Sequence, residues 1–362
     1  MNMKTFYRIF AVVVLLATVS VSAVQAGNDD RRGTAGASEL LINPWARSAG
    51  WGSAGVACMR GLDAFYFNVA GLSFTHKMDV AYSNTQLYGG KSGLMGAASI
   101  NAFGLAVRVF DAGVMGVSVM AMGFGDIPVT TVYSPEAGTN GTFSPTYMNI
   151  NVAYAHSFTR SVHGGVNLKV VNESTDNVTA SGFAIDAGIQ YVTGANDELK
   201  FGISLKNLGF GLSYSGTGLS YTHVNSVENT VTAMHPSVDM EMPTCLNIGI
   251  SYDFLFEKWD QCLTVAGSFT SNAFLKDNFG LGVEYSLLNL FQLRCGYVFQ
   301  KNIFSDSDRT TANTGLCAGA SVKVPITKKD KEGNNTSLSI DYSYRSASPL
   351  NGTHSVGASL RF

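Results

Sequence analysis

From Met78 to the end of the chain, large apolar residues recur at every second position. In Met148-Asn149-Ile150-Asn151-Val152-Ala153-Tyr154-Ala155-His156-Ser157-Phe158 the even positions are large and mostly apolar, while the odd ones are small or polar. A period of two describes a strand with two unlike faces. The same pattern sets Val166, Leu168 and Val170 against Asn167 and Lys169, Phe279, Leu281, Val283 and Tyr285 against Gly280, Gly282 and Glu284, and Leu338, Ile340, Tyr342 and Tyr344 against Ser339, Asp341 and Ser343. About fourteen such runs follow one another, with cores near 78–87, 98–110, 114–125, 146–158, 162–173, 181–193, 198–208, 244–255, 260–271, 277–287, 290–300, 312–325, 335–346 and 353–362.

Alternation alone fits a soluble sandwich with its apolar face inward, or a membrane barrel with its apolar face toward lipid. Three features select the second. The polar faces are mostly Gly, Ser, Ala and Asn, with isolated charges, which suits a crowded interior better than a surface in water. Short connections near 111–113, 159–161, 194–197, 256–259 and 288–289 are interleaved with longer ones near 128–145, 209–243 and 302–311, the short-turn and long-loop asymmetry of bacterial barrels. The chain ends Val356-Gly357-Ala358-Ser359-Leu360-Arg361-Phe362, which resembles the C-terminal assembly signal of such barrels, with Leu360 and Phe362 toward lipid. The expected fold is therefore all-β: a transmembrane antiparallel β-barrel of about fourteen strands in the outer membrane, both barrel ends on the inner side.

Composition sharpens this. Only 14% of residues are charged, against about 25% in ordinary soluble domains, while the chain holds 39 Gly, 22 Phe and 15 Tyr. A net charge of −2 without basic blocks excludes a nucleic-acid platform. The five Cys are odd in number and widely spaced, and neither they nor the six His form a metal motif or imply a cofactor. No Ser/His/Asp or paired-carboxylate arrangement suggests an enzyme.

Residues 1–26 read as a secretory signal peptide: Lys4 and Arg8, an apolar run from Ile9 to Val19, then Val24-Gln25-Ala26. An uncleaved anchor is the other reading, but the run falls short of the ~20 residues a helical span needs. Residues 27–76 precede the barrel (77–362) and lack strand alternation. Within them, GLDAFYFNVAGLSF (61–74) crowds aromatics and aliphatics around Asn68 and two glycines, with no period of its own. A fourteen-stranded barrel has a lumen too wide for its own side chains to fill. The segment is expected to plug it, with Asn68 and Gly71 turning the chain toward the first strand.

Two stretches, AGASELLINPWARSAGWG (35–52) and DAFYFNVAGL (63–72), resemble the opening of the PorV/PorQ family of outer-membrane proteins. The matching positions are Gly36, Ala37, Ser38, Ala46, Arg47, Gly50, Gly52, Asn68, Ala70, Gly71 and Leu72, with Val69 where the family has Pro. The family belongs to a wider group of fourteen-stranded barrels that includes the FadL-type transporters of long-chain fatty acids. The resemblance implies an accessory or shuttle role in type IX protein secretion, with translocon or attachment-complex proteins, and secreted cargo through its C-terminal domain, as partners. The alternative is FadL-like uptake of fatty acids or other hydrophobic molecules. A general porin is the third reading, disfavoured by a plugged, glycine-rich lumen.

Isolated lumen charges are expected to pair, because a charge in a confined space is costly otherwise. Glu284 and Arg294 fall on neighbouring strands joined by a tight turn and suit an ion pair; Lys169, Asp186, Lys206, Asp253 and Asp341 are ion-pair or ligand-binding candidates. Arg47 is read either as an anchor from plug to Asp186 or Glu284, or as an arginine facing water at the inner mouth. The loop at 209–243, with Tyr214, Tyr221, His223, Met234, His235, Met240 and Met242, is read as a partner surface or a capping loop.

Overall fold

The computed structural model describes residues 31, 33–89, 98–136, 140–224, 229–256, 260–305, 308–327 and 336–362. The expected signal peptide lies outside the described residues, as do parts of the connections at 209–243, 256–259 and 302–311.

Fourteen antiparallel strands form one closed sheet. They are β1 (Met78–Gln86), β2 (Ser99–Arg108), β3 (Gly113–Gly123), β4 (Thr146–Ser157), β5 (Val162–Thr175), β6 (Val178–Thr193) and β7 (Leu199–Gly209). The other seven are β8 (Cys245–Phe256), β9 (Gln261–Asn272), β10 (Asn278–Leu287), β11 (Phe291–Gln300), β12 (Asn313–Pro325), β13 (Ser337–Ala347) and β14 (Thr353–Arg361). Each observed end falls within three residues of the expected core, since alternation marks the wall while turn chemistry places the ends. β14 returns to β1, with Asp79 opposite Arg361 and Gln86 opposite His354. Closure leaves the first and last strands without an unpaired edge for lipid to meet.

The burial pattern is the inverse of a soluble protein's. Leu168 is 56% exposed on the outside of β5, whereas its neighbour Asn167 is fully buried on the inside. Phe183, Ile189, Ile203, Ile248, Leu293, Ile340 and Val356 likewise stand on the outer surface. Among the described residues no helix is long and apolar enough to cross a membrane; the apolar outer faces of the strands are what suits them to lipid.

Residues 35–76 lie inside the cylinder. Pro44 and several glycines interrupt them, so they form single turns rather than a long helix: Ser38–Leu41, Ala46–Ala49, Ala54–Val56, Gly61–Asp63, Ala64–Phe67 and Val69–Phe74. Their large side chains meet small ones on the wall. Trp45, Leu62, Phe65, Val69 and Leu72 pack against Ala81, Ala102, Ala106, Ala153 and Ala155. Trp51, Val56, Met59 and Phe67 gather near Ala266. Each large side chain so buried contributes about 1.5–3 kcal/mol.

Glycine admits the plug where even alanine is too big. A Cβ at Gly104 would stand 2.8 Å from the Trp45 ring, at Gly116 2.9 Å from Phe65, at Gly165 3.0 Å from the Val69 backbone, and at Gly282 2.6 Å from Trp51. These positions girdle the inner wall from β2 to β10, which accounts for much of the chain's glycine.

Candidate functional site

The plug threads the lumen end to end. At the outer mouth, assigned by the longer loops, Ala35 bridges Glu241, and the Gly36 N–H donates to the Glu241 carbonyl at 2.9 Å. At the inner mouth Thr75 Oγ1 donates to Asp79 Oδ2 at 3.0 Å, and Arg108 donates to the carbonyls of Ser73 and His76 at 3.0 and 2.7 Å.

Asn68 does more than turn the chain. Its Nδ2 lies 3.0 Å from the Ile189 carbonyl and 3.3 Å from those of Ile203 and Val56, while its Oδ1 accepts from the Ala70 N–H at 3.2 Å. The residue therefore wedges between plug and the β6–β7 wall, where Gly188 leaves it room. Gln190 donates to the carbonyls of Val56 and Met59, and Ser204 to that of Phe67. Gly71 allows the Met59 carbonyl to approach, and Gly52 takes a left-handed φ of 63°. Gly36, Ala37 and Ser38 sit at the outer mouth, where the Ala37 N–H donates to Glu173 at 3.1 Å. Ala46 donates to Ser83 at 3.0 Å, and Gly50 lies against Gly319; Ala70 and Leu72 are fully buried. At the chain's end Leu360 is paired opposite Val80 and Leu338, and Phe362 is exposed.

The charges sort into pairs. Glu284 accepts from Arg294 at 2.8 Å across β10 and β11, and Arg294 also donates to the Arg47 carbonyl at 3.0 Å and to Ser321 at 2.8 Å. Lys169 and Asp186 stand 2.7 Å apart, with Asn207 Oδ1 2.7 Å from Lys169 and Asn167 3.1 Å from Asp186. Lys200 pairs with Asp253, and Asp341 accepts from Ser321 and Ser339. Arg47 departs from expectation: its carboxylate is Asp63, inside the plug, at 3.6 Å, and neither Asp186 nor Glu284 is its ion-pair partner. The plug's own folding places that pair, which no strand pattern reveals.

One carboxyl pair escaped the sequence altogether. Glu39 in the plug and Glu173 on β5 are both buried, and Tyr214 from the outer loop donates to Glu173. Glu39 Oε2 has no hydrogen-bond partner. Burial, then the neighbouring Glu173, pushes the Glu39 carboxyl up to about 8. Some 134 positions separate the two residues, so no local signal announces them.

The loop at 209–243 divides between the two roles considered for it. Leu212 and Met242 are buried with Ala37, Leu40, Val171, Ala180 and Ala184, capping the lumen. A hairpin, Ser220–Val224 with Thr230–Met234, stands exposed with Tyr221, Val231 and Met234 on it. Below this loop the β6–β7 ladder is irregular: the register shifts between Ile185 and Ala187, the Asn207 N–H bonds to Asp186 instead, and beyond the Phe210 N–H, which donates to the Phe183 carbonyl, the described residues that pair along this edge of β6 are Tyr214 and Ser215.

The plug does not fill the lumen evenly. Between it and β7–β13 lies a cavity of about 240 Å³, bordered by Tyr66 and Phe67 of the plug, Lys206, Asn247, Asn313 and Arg345 of the wall, and Lys276 and Ile303 of the outer loops. The spaces on other sides are far smaller, about 40 Å³ beside Glu39 and Lys169 and about 20 Å³ beside Arg47 and Asp63.

The fold has solved counterparts. The monoaromatic hydrocarbon channel CymD is 14% identical, with a TM-score of 0.53 over 88% of this chain and 97% of its own. The Pseudomonas putida toluene transporter TodX is 11% identical, with a TM-score of 0.54 over the same shares. A Pseudomonas aeruginosa FadL homologue is 13% identical, with a TM-score of 0.50 over 87% of this chain and 97% of its own. This chain has the fold of the FadL-type outer-membrane barrels. Its place is accordingly the outer membrane, crossed by fourteen strands. No protein-family model matches the chain, and no curated protein matches it in sequence.

Proposed function

We propose that the protein is an outer-membrane channel that carries small molecules inward past a movable plug, in the manner of hydrophobic-molecule transporters, rather than a secretion component first. The observation that carries this reading is the one-sided fit of the plug, which leaves a ligand-sized space at the outer mouth. Support comes from the similar structures, which are a toluene transporter, a monoaromatic hydrocarbon channel and a FadL homologue, and from the irregular β6–β7 ladder as a weak place in the wall. The test is uptake into liposomes holding the purified protein, using labelled toluene, a long-chain fatty acid and small polar solutes. Saturable uptake above that of protein-free liposomes is expected for at least one; no uptake of any would remove the reading.

A second reading, type IX secretion as an accessory or shuttle, is favoured by the matched positions between Gly36 and Leu72 and by the exposed apolar hairpin at 220–234. It predicts that deleting the gene strips cargo proteins from the cell surface, with the barrel co-purifying with translocon or attachment proteins. Normal cargo display together with defective small-molecule uptake would retire it.

A further inference from the structure

We propose that the cavity at the outer mouth is a binding site for a small hydroxylated organic anion, with Lys206 and Arg345 as its cations. The proposal rests on the channel reading and names for this cavity a ligand class other than the hydrocarbons of the similar structures.

The cavity's charge is of one sign. Its border carries Lys206, Lys276 and Arg345 and no carboxylate. Elsewhere in the lumen Lys169, Lys200 and Arg294 each hold an Asp or Glu. Lys206 is only 6% exposed, yet among the described residues it has no hydrogen-bond or ion-pair partner; its Nζ sits 4.0 Å over the Tyr66 ring. A ring face offsets part of an ammonium's desolvation, by about 2 kcal/mol at most in ordinary cases, which leaves the ion short of an anion. Arg345, half-buried at the outer end of β13, borders the same cavity as Tyr66 and has no side-chain hydrogen bond or ion pair among the described residues. A buried cation without a partner is rare in folded proteins. Lys206 is buried and Arg345 half-buried, and the two border one cavity, which marks where an anion belongs.

Size and lining narrow the class. At about 30 Å³ per water, roughly eight waters fit the 240 Å³ space. Inorganic phosphate would leave most of it empty. Asn247, Asn313 and the other amides and hydroxyls of the lining suit hydroxyl groups, and Tyr66 and Phe67 offer ring faces to a sugar-like body. A hydrocarbon would leave these polar groups and both cations unanswered. A sugar carboxylate and a sugar phosphate share the needed chemistry.

Calorimetry on the detergent-purified mature barrel tests the site, with glucuronate, glucose 6-phosphate and glucose as probes. Saturable binding is expected for at least one anion and not for glucose, and which anion wins distinguishes carboxylate from phosphate. Lys206→Met and Arg345→Gln should each weaken it about tenfold or more, the scale of one lost charge-assisted hydrogen bond. Lys206→Arg should retain most of it. Raising salt to about 0.5 M should weaken it by screening. Absence of binding by both anions, equal binding of glucose, or unchanged affinity in both variants would overturn the site. Liposome flux separates the two claims. Anion binding without flux of any solute keeps the site and removes the channel, whereas toluene or fatty-acid flux without anion binding keeps the channel and removes the site.

Discussion

The plug meets the two halves of the wall differently. Toward β2–β6 the contact is interlocked, with Phe65, Val69 and Leu72 seated on wall alanines and glycines and a space of only about 40 Å³ beside Glu39 and Lys169. Toward β7–β13 Trp51 and Gly50 still touch the wall at Gly282 and Gly319, but at the outer mouth the Tyr66 and Phe67 side stands back and a polar cavity bordered by Lys206 and Arg345 intervenes. The first contact has the complementarity that holds a segment in place. The second has the looseness and chemistry that let something else in. A plug glued on both sides would be only structure, and one loose on both sides would be a leak.

The largest expected effect comes from breaking the fixed side electrostatically. Asp186→Ala leaves Lys169 buried without its carboxylate, which costs about 3–5 kcal/mol, while the double variant Lys169→Met/Asp186→Leu should recover much of that loss. Urea midpoints of the refolded barrels measure both, and equal destabilisation of the single and double variants would contradict the pairing. Next comes Gly188→Val, whose Cβ would overlap Asn68 Oδ1. Overpacking of this kind costs about 1–3 kcal/mol. The barrel should still form, but residues 35–75 should become protease-sensitive and single-channel conductance should rise.

These two variants also mark what could be read from the chain. The strands were legible because a closed wall needs a strict period of two, and the plug because a Gly-rich, unpatterned stretch before a wide barrel has few other places to go. Asn68 stood out as a motif residue, yet its hold on Ile189 and Ile203 is tertiary. Arg47 could be read as an anchor to Asp186 or Glu284 or as facing water, and neither reading pointed to Asp63, which irregular turns bring to it without a repeat to predict the approach. Lys206 was visible only as one more lumen charge. Its lack of a partner, like that of Arg345, emerges once fourteen strands are placed around it.

A smaller effect is pH-dependent. An ordinary carboxyl titrates near ~4.3, and docking raises Glu39 to about 8. The docked segment therefore holds a proton that the undocked one releases over that interval. Docking of residues 35–41 should be firmest below about pH 4 and weaken as pH rises from there to 8, then level off. Protease protection of the segment across that range measures it, and Glu39→Gln should flatten the profile; an unchanged slope would exclude Glu39 as its source. The smallest effect belongs to the loose side. Asn313→Leu projects into existing space, so stability should move by no more than about 0.5 kcal/mol, as for a tolerant site. A loss as large as that of Gly188→Val would mean that the two sides are packed alike.

The plug's course, from Glu241 at one mouth to Asp79 at the other, bears on the order of events in biogenesis. A thread carrying Trp45, Trp51, Phe65 and Phe67 cannot be drawn afterwards through a finished cylinder whose walls already touch it. It must lie across the unfinished sheet while β1 and β14 are still apart. The fourteenth strand, made last, then shuts the barrel around its contents, so a chain that loses its final residues would fail at the moment of enclosure.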